Sequence, residues 1–329
     1  MGIAVPFPST SPSGYEWFDD EPSFAPDVHL ALEAPTTTVM LADLGYPSDE
    51  IRTKATPVAA TAPFRVLSDE GVEVMLDVAR RLRAFATPAA DRIERMTRGG
   101  CYRSKWLRDF CIAPELTDHM SAIYQTEVAP HAMPLHLGHL NFEPTEAGKA
   151  IDKWHHDTLP LDFVLMVTDP NGIDGGSFEY FRGTKAEAAT LAEQGKVPPV
   201  ERTEVPEFPG AGYAIALHGD MVVHRAAPLN QLTERISMVN GYVAMDRLLD
   251  EQSRCRDLMT VDDHAVLWTE WARFAAWRSE GRLADLVATL EFTDDRDEVI
   301  DALEAAVADA QQAIEQMRAG PAPALHYER

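Results

Sequence analysis

The sequence predicts a mainly β fold with flanking helices, in which a sandwich or jelly-roll core is followed by a helical C-terminal extension. Short apolar runs of β type recur between residues 130 and 246, and clusters of Gly, Pro and Asp separate them. Many short strands spaced in this way favour a sandwich or jelly roll over a parallel sheet. Helical periodicity flanks this region on both sides. The clearest predicted strands are 163–167, 213–217 and 236–243.

The regions on either side of the β core differ from it in composition. Residues 1–63 are rich in Pro, Ser, Thr and Ala, which predicts an extended N-terminal arm. Ser68 begins a predicted helix whose apolar residues recur every three or four positions, as in a helix that packs against a sheet. The predicted domains are the arm, a β core over residues 64–246 and a helical extension over residues 247–329. Further helices are predicted at 186–194, as an insertion, and at 265–277, 283–290 and 298–318.

Composition limits the possible classes of function. The chain has 329 residues, of which 45% are hydrophobic, so it can bury a substantial core. Its formal net charge of -24 repels phosphate backbones and anionic lipid, so neither nucleic acid nor a membrane is an expected partner. The chain lacks both a signal-peptide pattern and an apolar run near the roughly 18 residues of a membrane-spanning helix. We therefore expect a cytoplasmic monomer or homodimer whose cysteines, at positions 101, 111 and 255, are free thiols.

Two short segments carry side chains typical of metal ligands. His155 and Asp157 are two positions apart in a strand-like segment, so their side chains are expected on the same face. His156 between them is expected on the opposite face, as a packing residue or a neighbour of the ligands. His224 follows the apolar run 221–223, which predicts a strand that ends at this histidine. The sequence therefore predicts a divalent metal site made of two imidazoles and one carboxylate.

This ligand set indicates iron. Two histidines and a carboxylate on one face of an octahedral ion leave three open positions, which is the arrangement of non-haem ferrous oxygenases. A 2-oxo acid bound through two atoms would occupy two of them, and dioxygen the third. The far carboxylate of such a cosubstrate requires a cation with forked donors. Arg235 supplies one, in a strand next to that of His224, and Ser237 shares its face.

Other histidines resemble ligands less closely. His218 and Asp220 repeat the spacing of the first pair, but the glycine between them fits a turn between two strands. We therefore expect His218 not to bind metal. Three more histidines, at positions 131, 136 and 139, precede the site and are predicted to be core or pocket-wall residues.

In the order of these motifs, the chain resembles the phytanoyl-CoA dioxygenase-like family of iron and 2-oxoglutarate dependent oxygenases, over about residues 64–246. An Asn-Phe-x-Pro segment at 141–144 and a Trp-His-x-Asp segment at 154–157 are most similar to its ectoine hydroxylase branch. Two features depart from the family pattern. Arg-Gly-Thr-Lys at 182–185 replaces its usual Pro-Gly-Ser-His turn, and the C-terminal extension is long.

The resemblance implies a cupin-like double-stranded β-helix that holds Fe(II) and takes 2-oxoglutarate and dioxygen as cosubstrates. It also implies that Asn141 approaches the carboxylate of 2-oxoglutarate. The expected reaction is hydroxylation of an unactivated C–H bond in a small polar molecule, an amino acid or a natural-product intermediate, with release of succinate and CO2. Desaturation, cyclisation and epimerisation remain open, as does a substrate tethered to a carrier. Asp157 argues against halogenation, because halogenases of this type have Gly or Ala in its place.

Candidates for substrate contact are cations. Arg103, Lys105 and Arg182 could meet an acidic group of the substrate, although surface ion pairing explains them as well. Two alternatives to an oxygenase stay open. A non-catalytic, cupin-like sensor or structural protein would hold zinc or nickel and would not require the carboxylate clamp of Arg235. A metal-dependent hydrolase or isomerase would use the open metal positions to activate water.

Overall fold

The structure is a computed structural model that describes residues 4–322 and 326–328. Within these residues the strands form one sheet of ten and one of four. The strands are β1 (Thr38–Met40), β2 (Val58–Thr61), β3 (Phe64–Arg65), β4 (Thr87–Ala89), β5 (Ile93–Thr97), β6 (Val128–Pro130), β7 (His139–Phe142), β8 (Ala150–His155), β9 (Leu161–Met166), β10 (Phe178–Phe181), β11 (Thr203–Glu204), β12 (Tyr213–His218), β13 (His224–Pro228) and β14 (Ile236–Ala244). The helices are α1 (Pro26–His29), α2 (Ser48–Ile51), α3 (Asp69–Leu82), α4 (Lys105–Cys111), α5 (Pro114–Tyr124), α6 (Lys185–Glu193), α7 (Cys255–Leu258), α8 (His264–Thr289) and α9 (Arg296–Ala319).

From β7 onward the chain alternates between the two sheets, except that β10 and β11 follow one another in the smaller sheet. The larger sheet has the order β1-β2-β12-β9-β14-β7-β5-β4, with β3 paired to β12 and β6 paired to β14, and the smaller sheet has the order β11-β10-β13-β8. Strands β7, β9, β12 and β14 therefore lie in one sheet, while β8, β10, β11 and β13 lie in the other. The pairings within both sheets are antiparallel. This winding is a jelly roll of the double-stranded β-helix type, so the predicted fold class is confirmed.

Strand β9 shows how the larger sheet buries both faces. Phe163 and Leu165 lie in the core shared with α3, α4 and α5, whereas Val164 and Met166 lie in a second core together with Phe178 of the smaller sheet. Because side chains alternate along a strand, one strand supplies both cores. Its sequence therefore reads as a continuous apolar run rather than an alternating one.

The N-terminal segment is not only an extended arm, because it also contributes strands to the larger sheet. Strands β1 and β2 extend the larger sheet, and all four residues of β2 are buried. β2 pairs with β12, where Ala60 lies opposite Leu217. The sheet therefore crosses the predicted boundary at residue 63, and the division into three domains stays a prediction. Strands of three and four residues are too short to show a reliable alternation, which explains why the segment was expected to be only extended.

The helices that were predicted from periodicity are present at the predicted positions, with one difference. Helix α3 begins after Ser68, whose Oγ accepts a hydrogen bond from the backbone N of Gly71 at 3.0 Å. The two helices predicted at 265–277 and 283–290 are a single helix, α8, which continues through Gly281. This glycine does not end the helix but makes room for the side chain of Arg247, whose Nε would lie 2.0 Å from an added Cβ. Among the described residues, all three cysteines are free and buried, and no helix is both long and apolar enough to cross a membrane.

Candidate metal centre

His155, Asp157 and His224 come together at one end of the smaller sheet. His155 ends β8, His224 begins β13, and the two are register partners. Nε2 of His155 lies 3.4 Å from Oδ1 of Asp157, and Nε2 of His224 lies 3.5 Å from Oδ2 of the same carboxylate. One potential ligand atom from each residue lies within 4.8 Å of the other two. The structure thus brings the three predicted ligands into one cluster.

Hydrogen bonds to the backbone set the orientation of both imidazoles. Nδ1 of His155 lies 2.6 Å from the carbonyl oxygen of Lys153, and Nδ1 of His224 lies 2.9 Å from that of Val222. Since a carbonyl oxygen can only accept, each Nδ1 carries a hydrogen, and Nε2 is the atom that each ring can offer to a metal ion. Burial, together with Arg92 and His224, lowers the pKa of His155 to about 3, so this ring is neutral.

Asp157 completes a donor set that fits a divalent cation. Burial alone would raise the pKa of this carboxyl, but His224 and His155 beside it bring the pKa below its usual range, and the group is ionised. Its oxygens then lie close to Nε2 of both rings, an arrangement that a divalent cation between them would stabilise. Two imidazoles and one carboxylate are the ligands of ferrous oxygenases, and zinc accepts them too.

The segment before His224 differs from the prediction. Residues 221–223 form no strand, and the backbone N–H groups of Met221 and Val222 donate to the carbonyl oxygen of His218 in a turn. His224 begins β13 rather than ending a strand. The apolar run arises because Met221, Val222 and Val223 are fully buried within the turn, and burial alone does not distinguish a turn from a strand.

Arg235 is a buried cation whose direct partners are neutral. It is 3% exposed, and its Nη1 donates to Oγ of Ser237 at 2.8 Å while Nε donates to the carbonyl oxygen of Gly176 at 3.2 Å. Its Nη2 contacts Sδ of Met166 at 3.9 Å. Among the described residues no carboxylate pairs with this guanidinium within 4.0 Å. Burial lowers the pKa of Arg235 to about 10, which still leaves it charged at neutral pH.

The predicted relationship between the strands of His224 and Arg235 is wrong. β13 belongs to the smaller sheet, whereas β14, which begins directly after Arg235, belongs to the larger one. The two segments face each other across the interior instead of lying side by side. Asn141 on β7 is the register partner of Ser237 on β14. One cavity is lined by all six residues that were predicted to bind metal or cosubstrate: Asn141, His155, Asp157, His224, Arg235 and Ser237.

We call this space the cosubstrate cavity. A wider cleft of about 700 Å³ also borders Arg235, on a part of the surface formed by Phe178 and Phe208. None of the three residues of the metal cluster lines that cleft. The cleft is therefore not the metal site, although its volume is large.

The remaining histidines near the cluster have other contacts. His218 lies outside the cluster, with Nδ1 3.3 Å from the carbonyl oxygen of Val58 and Nε2 3.2 Å from Oδ1 of Asp220. Nδ1 of His156 lies 2.7 Å from the hydroxyl of Tyr327 in the C-terminal tail. His156 is therefore a neighbour of the ligands, and its ring is directed to the tail.

The structure does not bring the predicted substrate contacts to the cluster. The guanidinium of Arg103 lies over the rings of Tyr15 and Phe85, at 4.3 Å and 3.9 Å from their centroids. Lys105 is exposed, and exposed Arg182 pairs with Glu204 at 3.3 Å. None of these three cations lines the cavities at Asp157. The N-terminal segment packs over Arg103, and this long-range contact leaves no local sign in the sequence.

Sequence reasoning missed Arg92, which lines the cosubstrate cavity. Its Nε lies 3.1 Å from Oδ1 of Asp152, and burial raises the pKa of that carboxyl to about 7 while Arg92 opposes the rise. Arg92 lies in the turn between β4 and β5, two residues after Ala90, which has a positive φ of 49°. An arginine in a tight turn looks like a surface residue, so its sequence carries no signal of this role.

No family model and no curated protein matches this sequence. Similar solved structures include the non-heme alpha ketoglutarate dependent epimerase SnoN from nogalamycin biosynthesis, at 16% identity and a TM-score of 0.40 over 62% of this chain and 82% of that one. The non-heme monooxygenase ThoJ in a nickel complex has 14% identity and a TM-score of 0.42, over 82% of this chain and 98% of that one. HygX from Streptomyces hygroscopicus, with nickel, 2-oxoglutarate and hygromycin B bound, has 14% identity and a TM-score of 0.37, over 54% of this chain and 80% of that one. Likeness at this level does not decide the function of this chain, and membership of the ectoine hydroxylase branch is not confirmed.

Proposed function

We propose that the protein is an Fe(II) and 2-oxoglutarate dependent oxygenase that hydroxylates an unactivated C–H bond of a small molecule. The observation that carries the proposal is Arg235, a buried guanidinium without a carboxylate partner among the described residues, in the same cavity as the metal cluster. A buried charge is costly unless it is paired. An anion that also reaches the metal would provide the partner, and a 2-oxo diacid has carboxylates at both ends.

Each residue of the cavity has a separate task in this proposal. His155, Asp157 and His224 would hold the iron, which supplies the oxidative chemistry with dioxygen once it is bound. Arg235 would bind the far carboxylate of 2-oxoglutarate through its forked donors, and the hydroxyl of Ser237 would add a hydrogen bond. Asn141 can contribute as well, because it is buried beside this space and the Nδ2 of its side-chain amide can donate to a carboxylate.

The burial of the cavity supports an oxygenase over the two alternatives. His155 and Arg235 are 2% and 3% exposed, so water has little access to the space between them. Exclusion of water protects an oxidising centre, whereas a hydrolase has to admit its attacking water. A sensor that binds only a metal ion has no function for a buried, unpaired arginine beside that ion.

The test is spectroscopic and uses the wild-type chain. Anaerobic addition of Fe(II) and then 2-oxoglutarate should produce the weak visible charge-transfer band of an iron chelate, and admission of oxygen should release succinate. Absence of the band at saturating iron would contradict the proposal. Thermal stabilisation by zinc that 2-oxoglutarate does not change would favour the sensor, because a ligand that binds the folded state must raise its stability.

A further inference from the structure

A second cavity shares Asp157 and His139 with the cosubstrate cavity but is not lined by Arg235 or Ser237. We call it the histidine cavity, because His136 and His156 line it too. Its volume is about 60 Å³, and a larger pocket of about 380 Å³ shares His156 and Asp157 with it. The remaining wall includes apolar side chains, namely Met96, Leu159, Leu258 and Val261. A group bound there lies beside a residue of the metal cluster.

His136 presents a free hydrogen-bond donor. Its Nδ1 lies 3.5 Å from Nη2 of Arg98, which can only donate, so Nδ1 is the acceptor. Burial, with His131 and Arg98 adding to the effect, holds the pKa of His136 well below its usual value, so the ring is neutral. The hydrogen is therefore on Nε2, which is buried and has no partner among the described residues.

His139 is a second neutral imidazole in the same wall. It is two residues from Asn141 on β7, so both side chains lie on the inner face of the larger sheet. Burial and Arg98 lower the pKa of His139 to about 3. Nδ1 of His139 is buried, and no described residue bonds to it. A buried polar atom without a partner is unusual and indicates an occupant that the chain itself does not supply.

The cations in this wall already have carboxylate partners. Arg98 pairs with Asp262, with Nη2 donating to Oδ2 at 3.0 Å, and Arg92 pairs with Asp152. The charges of the two arginines are thus balanced by buried acids. Apart from the carboxylates of Asp157 and Asp257, the wall offers a ligand neutral hydrogen-bonding groups beside apolar side chains.

We propose that the histidine cavity binds the reacting end of the substrate and selects an uncharged oxygen function, a hydroxyl or carbonyl group, on an aliphatic body. The inference rests on the proposed function and names the substrate class of that site. His136 donates from Nε2 to the oxygen, His139 supplies the second hydrogen bond, and the apolar side chains contact the carbon body. The larger pocket receives the rest of the molecule.

Selection against negative charge follows from desolvation. A carboxylate entering this wall would lose its hydration and meet neutral imidazoles, the ionised carboxylate of Asp157 and arginines that are already paired. A hydroxyl loses much less and regains a hydrogen bond to a donor that is otherwise unsatisfied. An alcohol is therefore preferred at this end over a carboxylate.

The test uses the metal-free full-length chain and two probes with the same carbon body, 2-methylpropan-1-ol and 2-methylpropanoate. Saturation-transfer NMR titrations should show tighter binding of the alcohol than of the carboxylate by about tenfold or more, which is the cost of burying a charge without a partner. His136→Leu should weaken alcohol binding about fivefold. His136→Gln keeps a donor in nearly the same place and should restore part of the loss.

A control variant and two contrary outcomes test the assignment of the histidine cavity. His119→Leu removes a histidine of α5 whose Nε2 lies 3.0 Å from the carbonyl oxygen of Glu33, and it should leave probe binding unchanged. If His136→Leu does not fold, His139→Leu makes the same test. Equal binding of the two probes, or alcohol binding that neither variant weakens, would overturn the inference. Neither iron nor 2-oxoglutarate is present, so this failure is distinct from absence of the charge-transfer band, which would overturn the proposed function.

Discussion

His155 and His224 are register partners across β8 and β13, and the centroids of their rings lie 4.2 Å apart. The backbone pairing of the two strands therefore positions both imidazoles, and bonds from Nδ1 to the carbonyl oxygens of Lys153 and Val222 orient them. A site held by strand pairing and backbone hydrogen bonds is organised before its metal binds. The predictions below follow from this arrangement and from its surroundings.

Removal of one member of the cluster should abolish tight metal binding. His224→Ala leaves one imidazole and one carboxylate, and we expect the affinity for Fe(II), or for Co(II) as its substitute, to fall at least about 100-fold. Calorimetric or optical titration measures this directly. His218→Ala is the matched control, because His218 belongs to the other His-x-Asp segment. A similar loss of affinity in both variants would contradict the assignment of the cluster.

Arg235 should control the affinity for 2-oxoglutarate without controlling that for iron. Arg235→Gln removes the buried charge, and the dissociation constant of 2-oxoglutarate should rise at least about 30-fold. Ser237→Ala removes one hydrogen bond and should raise it about fivefold. Titration of the charge-transfer band measures both effects. Arg182→Gln, at an exposed ion pair, should change neither, and equal effects of Arg182→Gln and Arg235→Gln would refute the clamp.

Gly219 should tolerate no side chain. Its carbonyl oxygen accepts a hydrogen bond from the backbone N of Asp157 at 2.8 Å, and an added Cβ would lie 2.4 Å from Oδ2 of Asp162 and 3.0 Å from Cβ of Asp157. Gly219→Ala should therefore lower the free energy of unfolding by about 1–3 kcal/mol and weaken metal binding, because Asp157 has to move. Gly210→Ala is the control, since an added Cβ there meets nothing within 4 Å. Chemical denaturation of both variants measures the change in the free energy of unfolding.

Glu270 should make the stability of the protein depend on pH. Its carboxylate oxygens accept hydrogen bonds from the hydroxyl of Tyr102 at 2.6 Å and from the backbone N of Leu135 at 2.9 Å, beside the turn that carries His136. Burial raises the pKa of Glu270 from 4.5 to about 8. Between these two values the folded state holds a proton that the unfolded chain has released. The stabilising contribution is therefore complete below pH 4.5 and is lost as the pH rises through 8.

Urea denaturation of wild type and Glu270→Gln across this range measures the effect. The difference in unfolding free energy between them should change by up to about 1.4 kcal/mol per pH unit, with wild type losing relative stability as the pH rises. Glu304→Gln removes an exposed carboxylate of α9 and should give a pH dependence parallel to that of wild type. If the unfolding free energy of Glu270→Gln also changed with pH in parallel with that of wild type, Glu270 would have the same charge in the folded and unfolded states.

The sequence by itself determined the features that depend on neighbouring residues. Short apolar runs between turn residues predicted β9, β12 and β14, and the cap at Ser68 predicted the start of α3. The spacing of His155 and Asp157 predicted a shared face, because two residues is the period of an extended chain. These signals are local, so they can be read without knowing which parts of the chain meet.

Only the tertiary structure decided which segments face each other. It placed Arg235 on the sheet opposite His224, made a buried turn of residues 221–223, and carried α8 through Gly281. It also brought His136 and Arg92 to Asp157 and kept Arg103 under the N-terminal segment. An apolar run indicates that its residues are buried. A histidine or an arginine indicates only which interactions its side chain can make. Which sheet, turn or cavity receives them depends on contacts far apart in the chain, which local periodicity does not encode.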